Sequence, residues 1–113
     1  MSAITTHVLD IARGRPASGL AVVLDMQVAN GWQEVGRGAT DGDGRLRTLM
    51  DPSATLLAGV YRLVFDTGAY FRSEGTRAFY PEVVVTFETV TGDDHYHVPL
   101  LLSPFGYSTY RGT

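Results

Sequence analysis

The chain has 113 residues, of which 44% are hydrophobic and 19% charged, with a formal net charge of −3 and no cysteine. This length and composition predict one globular domain, residues 1–113, whose core hides roughly two thirds of the unfolded surface. Positive and negative residues are interspersed along the chain, which argues against nucleic-acid binding because that would need a clustered basic face. The lack of cysteine excludes disulfides, thiolate nucleophiles and zinc–thiolate sites. No apolar run is long enough to span a membrane and no secretory signal is recognisable, so we expect a cytoplasmic protein with no membrane partner.

Short β-like segments follow one another along the chain, and helical periodicity is nearly absent. The pattern predicts about eight strands and one short helix over Gly68–Glu74. The predicted strands are Ile4–Leu9, Leu20–Ala29, Trp32–Gly38, Arg45–Leu49, Val60–Phe65, Val83–Phe87, His95–Leu102 and Tyr107–Arg111. Their lengths and spacings are typical of an all-β sandwich or barrel.

Turn residues separate these segments. RGRP at 13–16 is predicted to close the first strand, NG at 30–31 is a strong hairpin signal, and DGDG at 41–44 predicts a tight turn. The DGDG turn resembles part of a calcium loop but lacks the later acidic ligand, so we interpret it as structural. A group of aromatic residues is predicted to form core beneath the short helix: Tyr70, Phe71, Phe79 and Tyr80.

Alternation along the segment 95–102 assigns its side chains to two faces. One face is apolar and suits a core, with Tyr96, Val98, Leu100 and Leu102. The other face mixes polar and apolar groups, with His95, His97, Pro99 and Leu101. Such a mixture is unusual for a strand face that contacts only solvent, and it predicts that this face contacts another subunit or lines a pocket.

Five stretches of the chain, taken in order, carry a family resemblance: THVLD, RGRPA, TDGDGRL, FYPEVVVTF and HYHVPLLLSPFGYSTYRG. Together they resemble the transthyretin-like family, and most closely its enzymatic branch, the 5-hydroxyisourate hydrolases. The resemblance runs from about Thr6 to Thr113. A terminal Tyr-Arg-Gly-Ser marks the hydrolase branch, and here Thr113 stands in the place of the usual serine.

The resemblance implies a transthyretin-like two-sheet β-sandwich and a set of site residues. The implied catalytic residues are His7, Arg45 and His97. The implied substrate-binding residues are Ser108, Tyr110, Arg111, Gly112 and Thr113. It also implies a homotetramer, a dimer of dimers with sites in the channel between dimers, and a reaction that needs no metal or cofactor.

The implied reaction is hydrolysis of 5-hydroxyisourate to 2-oxo-4-hydroxy-4-carboxy-5-ureidoimidazoline in urate breakdown. Water is a poor nucleophile at neutral pH, and histidine is the natural base near that pH. An arginine can stabilise the negative charge that grows on the carbonyl oxygen. His7 and His97 are therefore expected to share acid/base work, and which of them is the base stays open.

Each of these residues also has an ordinary interpretation. A lone histidine on a strand, or an arginine beside a turn, is usually a surface residue. Three histidines can also form a zinc-type ligand set, although the implied reaction needs no metal. Two other functions remain open, namely a non-catalytic transthyretin-like protein that binds a small ligand, and an immunoglobulin-like interaction domain.

Overall fold

A computed structural model of the chain describes residues 2–113, which form nine strands and one helix. The strands are β1 Ile4–Asp10, β2 Arg15–Pro16, β3 Ala21–Val28, β4 Gly31–Ala39, β5 Arg45–Leu46, β6 Gly59–Phe65, β7 Val83–Thr89, β8 Tyr96–Ser103 and β9 Gly106–Thr109. The helix α1 spans Thr67–Ser73. The all-β prediction is confirmed. Strand β2 is a correction, because only a turn was predicted there and the segment instead pairs with the end of β1.

The strands form two sheets that face each other. One sheet has the order β2-β1-β8-β9, with β5 also paired to β1, and the other has the order β4-β3-β6-β7. Strands β1 and β8 are parallel, while β2 and β5 share the opposite edge of β1. Strand β1 therefore aligns two segments that lie far apart in the sequence.

The core lies between the sheets and is built from alternate residues of the long strands. Its fully buried large side chains include Ile4, Val8, Leu24, Tyr61, Leu63, Phe65, Leu100 and Leu102. Their burial removes apolar surface from water, which is the main stabilising contribution to the fold. Alternation directs the intervening side chains, His7 and His97 among them, to the outer faces.

Helix α1 is short and depends on tertiary contacts. The Asp66 carboxylate caps its first turn by accepting a hydrogen bond from the Ala69 N–H. The Tyr70 hydroxyl donates to the buried carboxylate of Asp10 at 2.8 Å, which attaches the helix to β1. Among residues 2–113, no helix is long and apolar enough to cross a bilayer.

The predicted aromatic core beneath this helix is only half correct. Tyr70 and Phe71 are buried, whereas Phe79 is 62% exposed and Tyr80 is 38% exposed. The first pair belongs to the helix, which packs on the sandwich. The second pair belongs to the segment that leads into β7, where the rings pack edge to face against each other at the surface.

Candidate active site

The outer face of the five-stranded sheet brings distant polar residues together. The parallel pairing of β1 with β8 sets Thr5 beside His97 and His7 beside Pro99. Because neighbouring positions on paired strands share a face, these four side chains lie on the same side of the sheet. The structure therefore places the two histidines predicted to be catalytic on one surface.

The DGDG turn delivers Arg45 to this surface. Strand β5 pairs Arg45 directly with His7. The Asp41 carboxylate accepts the Arg45 N–H at 3.0 Å, which closes the turn from within. Gly44 has a φ of +77°, and a Cβ atom there would lie 2.4 Å from the Val8 carbonyl oxygen. Only glycine suits this position, so the turn both requires it and uses it to set Arg45 against β1.

A cleft of about 250 Å³ opens beside these residues. It is lined by Thr5, Thr6, Arg45, Arg47, His95, His97 and Thr113. Two permanent positive charges, two imidazoles and several hydroxyls suit a small polar substrate on which negative charge develops. Among residues 2–113, no three His, Cys, Asp or Glu side chains converge in a metal-binding arrangement.

Hydrogen bonds orient the two predicted catalytic imidazoles. Nε2 of His7 lies 2.9 Å from the carbonyl oxygen of Asp43. A carbonyl can only accept, so Nε2 carries the proton and Nδ1 is the His7 atom available for acid/base work. Nδ1 of His97 lies 2.8 Å from the Thr5 hydroxyl, which leaves Nε2 of His97 for the substrate.

The environment of His97 favours its neutral form. Burial lowers the pKa of His97 below its ordinary value, and the positive charges of Arg45, His7, His95 and Arg47 lower this pKa further. A neutral imidazole keeps a lone pair that can accept a proton. His97 is therefore suited to act as a base at neutral pH.

We expect the imidazole of His97 to titrate with a midpoint below 6.5, the ordinary histidine pKa. Because a base must be neutral, kcat/KM should fall as the pH drops through that midpoint. The unfolded chain takes up this proton at higher pH than the folded chain, so the free energy of unfolding should rise with pH between the two midpoints. An NMR titration of the His97 ring checks this, and a midpoint at or above 6.5 would contradict it.

The chain's last residues are held against β8. The Gly112 N–H donates to the His97 carbonyl oxygen at 2.8 Å, and the two residues form a β-bridge. A Cβ atom on Gly112 would lie 2.7 Å from Cδ2 of the His97 ring and 3.3 Å from Cγ of Pro99. Gly112 thus contacts the imidazole itself, and its lack of a side chain permits that approach.

Gly112→Ala is expected to lower kcat/KM by about 10-fold to 100-fold, because the added methyl displaces the His97 ring or the tail. The free energy of unfolding should change by about 1 kcal/mol or less, since the contact lies outside the core. Gly106→Ala is the matched control, because its Cβ would meet nothing closer than 3.9 Å. Equal kcat/KM values for the two variants would contradict the prediction.

The other predicted substrate-binding residues fall into two places. Thr113 lines the cleft, and Ser108 pairs with Leu101 on the same face of the sheet as His97. Tyr110 and Arg111 instead line a second groove, of about 340 Å³, between the free edges of β7 and β9. The structure therefore brings Ser108, Gly112 and Thr113 to the face of the catalytic cleft, and Tyr110 and Arg111 to a neighbouring edge.

Arg111 has its own contacts in that groove. Its guanidinium carbon lies 4.4 Å from the centre of the Tyr96 ring, and one of its nitrogens lies 3.5 Å from the Asp93 carboxylate. Tyr96 is an inward-facing residue of β8, whereas His97 faces outward. Within one protomer, Arg111 and His97 thus lie on opposite faces of the sheet.

Four residues of the cleft were not predicted as site residues from the sequence: Thr5, Thr6, Arg47 and His95. Thr5 stands two positions before His7 and Arg47 two positions after Arg45, so strand alternation could have placed each beside a residue already identified. The signal was weak, because threonine and arginine are common on exposed strand faces. Thr5 reaches His97 because β1 pairs with β8, and Arg47 follows β5, which pairs with β1. The local sequence reveals neither pairing.

Known proteins resemble this chain in sequence over most of its length. A family model described as the HIUase/Transthyretin family matches residues 4–112. The chain belongs to this family. The 5-hydroxyisourate hydrolase of Salmonella typhimurium is 46% identical over 110 residues, covering 97% of this chain and 80% of that protein.

Solved structures of the HIUase/transthyretin family share the fold. The 5-hydroxyisourate hydrolase of Klebsiella pneumoniae has a TM-score of 0.86 at 36% identity, covering 99% of this chain and 100% of that one. Sea bream transthyretin in complex with thyroxine has a TM-score of 0.90 at 34% identity, covering 98% and 95% of the two chains. The predicted transthyretin-like sandwich is confirmed.

Proposed function

We propose that this chain is a 5-hydroxyisourate hydrolase of urate breakdown, which opens one ring of its substrate to give 2-oxo-4-hydroxy-4-carboxy-5-ureidoimidazoline. The observation that carries the proposal is the convergence of Arg45, His7 and His97 on one face of the sheet. The assignment of the substrate is supported by 46% identity, over 97% of this chain, to a protein named 5-hydroxyisourate hydrolase. A channel that only binds an apolar ligand does not require such charged and titratable groups.

The proposed chemistry is water attack on a ring amide carbonyl. A neutral imidazole takes a proton from water as the oxygen bonds to the carbonyl carbon. The carbonyl oxygen becomes negative, and Arg45 stabilises it in the cleft. The carbon–nitrogen bond then breaks, and the nitrogen receives a proton from an imidazolium. His97 is the better placed base because its environment keeps it neutral, and His7 positions the water or protonates the nitrogen.

We also propose that the tail binds substrate, as the family resemblance implies. Ser108, Gly112 and Thr113 lie on the face of the cleft and can contact the substrate within one protomer. Tyr110 and Arg111 line the groove at the neighbouring edge, so their contribution would require a second copy packed there.

A homotetramer of single-domain protomers fits the free surfaces of the fold. In the described residues, β7 and β9 end their sheets without a further partner strand, and both lie at the same side of the sandwich. A second copy can extend both sheets at these edges, which protects them from other pairing. The outer face of β8, which carries His97, Pro99 and Leu101, can then contact a second dimer. Light scattering at micromolar concentration should give four chains, and a monomer would contradict the proposal.

The activity is tested by following the ultraviolet absorbance of 5-hydroxyisourate generated in place by a uricase. The protein should accelerate its decay, and the acceleration should persist with a chelator present. Sea bream transthyretin, which shares the fold, is a protein seen with bound thyroxine. A folded tetramer without any acceleration would therefore reject the hydrolase and favour a ligand-binding protein.

A further inference from the structure

The Thr5 side chain lies between two imidazoles. Its hydroxyl oxygen is 2.8 Å from Nδ1 of His97 and 3.3 Å from Nε2 of His95. Thr5 is only 3% exposed, and His95, immediately before β8, is exposed. Neither Thr5 nor His95 has a role in the reaction described above. A buried hydroxyl shared by two titratable rings nevertheless couples their protonation.

The coupling follows from counting hydrogens. The hydroxyl of Thr5 carries one hydrogen and can donate it to only one of the two ring nitrogens. The other nitrogen must carry its own hydrogen and donate it to the hydroxyl oxygen. If Thr5 donates to His95, His97 holds its proton on Nδ1 and keeps the Nε2 lone pair that a base needs. If Thr5 donates to His97, a neutral His97 carries its proton on Nε2 and cannot take one from water.

We propose that Thr5 and His95 are positioning residues that form a proton relay with His97. Before the reaction the relay holds a proton on Nδ1 of His97. As His97 takes a proton from the attacking water, the relay transfers the Nδ1 proton to Thr5 and the hydroxyl proton of Thr5 to His95. The inference rests on the proposed hydrolase function and extends it. It assigns a task to the first histidine of the HYH stretch, which the family resemblance leaves outside the catalytic set.

The relay moves one proton and no electrons. Nε2 of His97 takes a proton from water as the water oxygen bonds to the carbonyl carbon. Nδ1 of His97 passes its proton to the Thr5 oxygen, and the original hydroxyl proton of Thr5 moves to Nε2 of His95. His97 is then neutral, Thr5 is again a hydroxyl and His95 is an imidazolium. The reverse transfer supplies the proton for the departing ring nitrogen.

Charge in the cleft favours this direction of transfer. His97 faces His7 from β1, Arg45 from β5 and Arg47 just beyond it, with His95 at the near end of its own strand. A positive charge held on His97 would be repelled by both arginines. Passing the proton onward removes that charge from the ring that faces the substrate.

His95 lies at the outer end of the relay. It is exposed to water and lines both the catalytic cleft and an adjoining cleft that also contains Asp93 and Asp94. Carboxylates and solvent both stabilise an imidazolium. The relay thus runs from the half-buried ring of His97 to an exposed ring at the boundary between the two clefts.

The first test compares Thr5→Val with Thr5→Ser. Valine keeps the β-branched shape without the hydroxyl, and serine restores the hydroxyl. We expect kcat to fall by about 10-fold to 100-fold in Thr5→Val with KM changed less than about threefold, and Thr5→Ser to recover most of it. A purely structural role would affect KM and thermal unfolding as well. Unchanged kcat in Thr5→Val, or an equal loss in Thr5→Ser, would overturn the relay.

The second test varies the far end of the relay. His95→Asn removes the titratable acceptor at an exposed position, so the fold should be retained. We expect kcat to fall by about 10-fold and the acid limb of the kcat profile to shift, with KM little changed. Wild-type kcat with an unchanged pH profile would show that the proton does not pass through His95, which would overturn the proposal.

A third measurement does not depend on activity. Nitrogen–proton NMR of the histidine rings reports which nitrogen of neutral His97 carries the proton. We expect Nδ1–H in the wild type and in Thr5→Ser, and a shift toward Nε2–H in Thr5→Val. If the wild type fails to hydrolyse 5-hydroxyisourate yet shows this pattern, the proposed function fails while the coupling stands. Nε2–H as the main wild-type form would overturn the relay itself.

Discussion

His97→Asn is expected to lower kcat/KM for 5-hydroxyisourate by about 100-fold to 10,000-fold, the range for loss of a general base. Asparagine retains a polar side chain of similar reach but cannot take a proton from water. His97 is partly exposed and lies outside the core, so the circular dichroism spectrum should be unchanged. The decay assay with uricase-generated substrate measures the effect, and activity within about threefold of wild type would contradict it.

The double variant with His7→Asn shows whether the two histidines act as a unit. If they share the acid/base work of one reaction, the double variant should lose much less than the product of the two single losses. If each loss multiplies the other, the two imidazoles act independently. His7 is held by the Asp43 carbonyl and His97 by Thr5, so each single variant leaves the other ring in place.

Arg45→Gln is expected to lower kcat/KM by about 100-fold to 1,000-fold, because the variant lacks the charge that stabilises the developing oxyanion. Arg45→Lys should recover only part of the loss, since an ammonium does not offer the planar two-pronged donor of a guanidinium. Arg45→Gln should also raise the pKa of His97, because the positive charge of Arg45 lowers that pKa.

Arg37→Gln provides the matched control for Arg45. It removes the same charge from an exposed position on β4, in the other sheet, where Arg37 forms a surface ion pair with Glu34. Surface ion pairs contribute little to stability, so both activity and unfolding should stay close to wild type. A similar kcat/KM loss in both variants would indicate a general charge effect and reject the specific role of Arg45.

Most strands were predictable because their pattern is local. Alternation marks β1, β6, β7 and β8 in the sequence, and the helix predicted over Gly68–Glu74 is found at Thr67–Ser73. Strand β2 was predicted as a turn. Its two residues form a strand only because they pair with Leu9 and Asp10. Such short strands are defined by a partner and carry no periodicity of their own.

The candidate site was predictable only in part. The identities of His7, Arg45 and His97 came from the family resemblance, and β-pairing with β1 brings them together. Thr5 was missed because its partner His97 is 92 positions away in the sequence. Gly112 was expected to bind substrate, a role that remains a prediction, and its contact with the His97 ring was not foreseen.

The amino-acid pattern predicted the long strands, the NG and DGDG turns and the types of chemical group that the chain carries. Alternation and turn chemistry act between near neighbours, so Gly44 and the HYH stretch could be interpreted without a fold. The tertiary structure alone decided that Arg111 lies in the edge groove while Thr113 lines the cleft. It did so because the face on which a residue lies depends on the register between strands that are distant in the chain, and burial of the shared core sets that register.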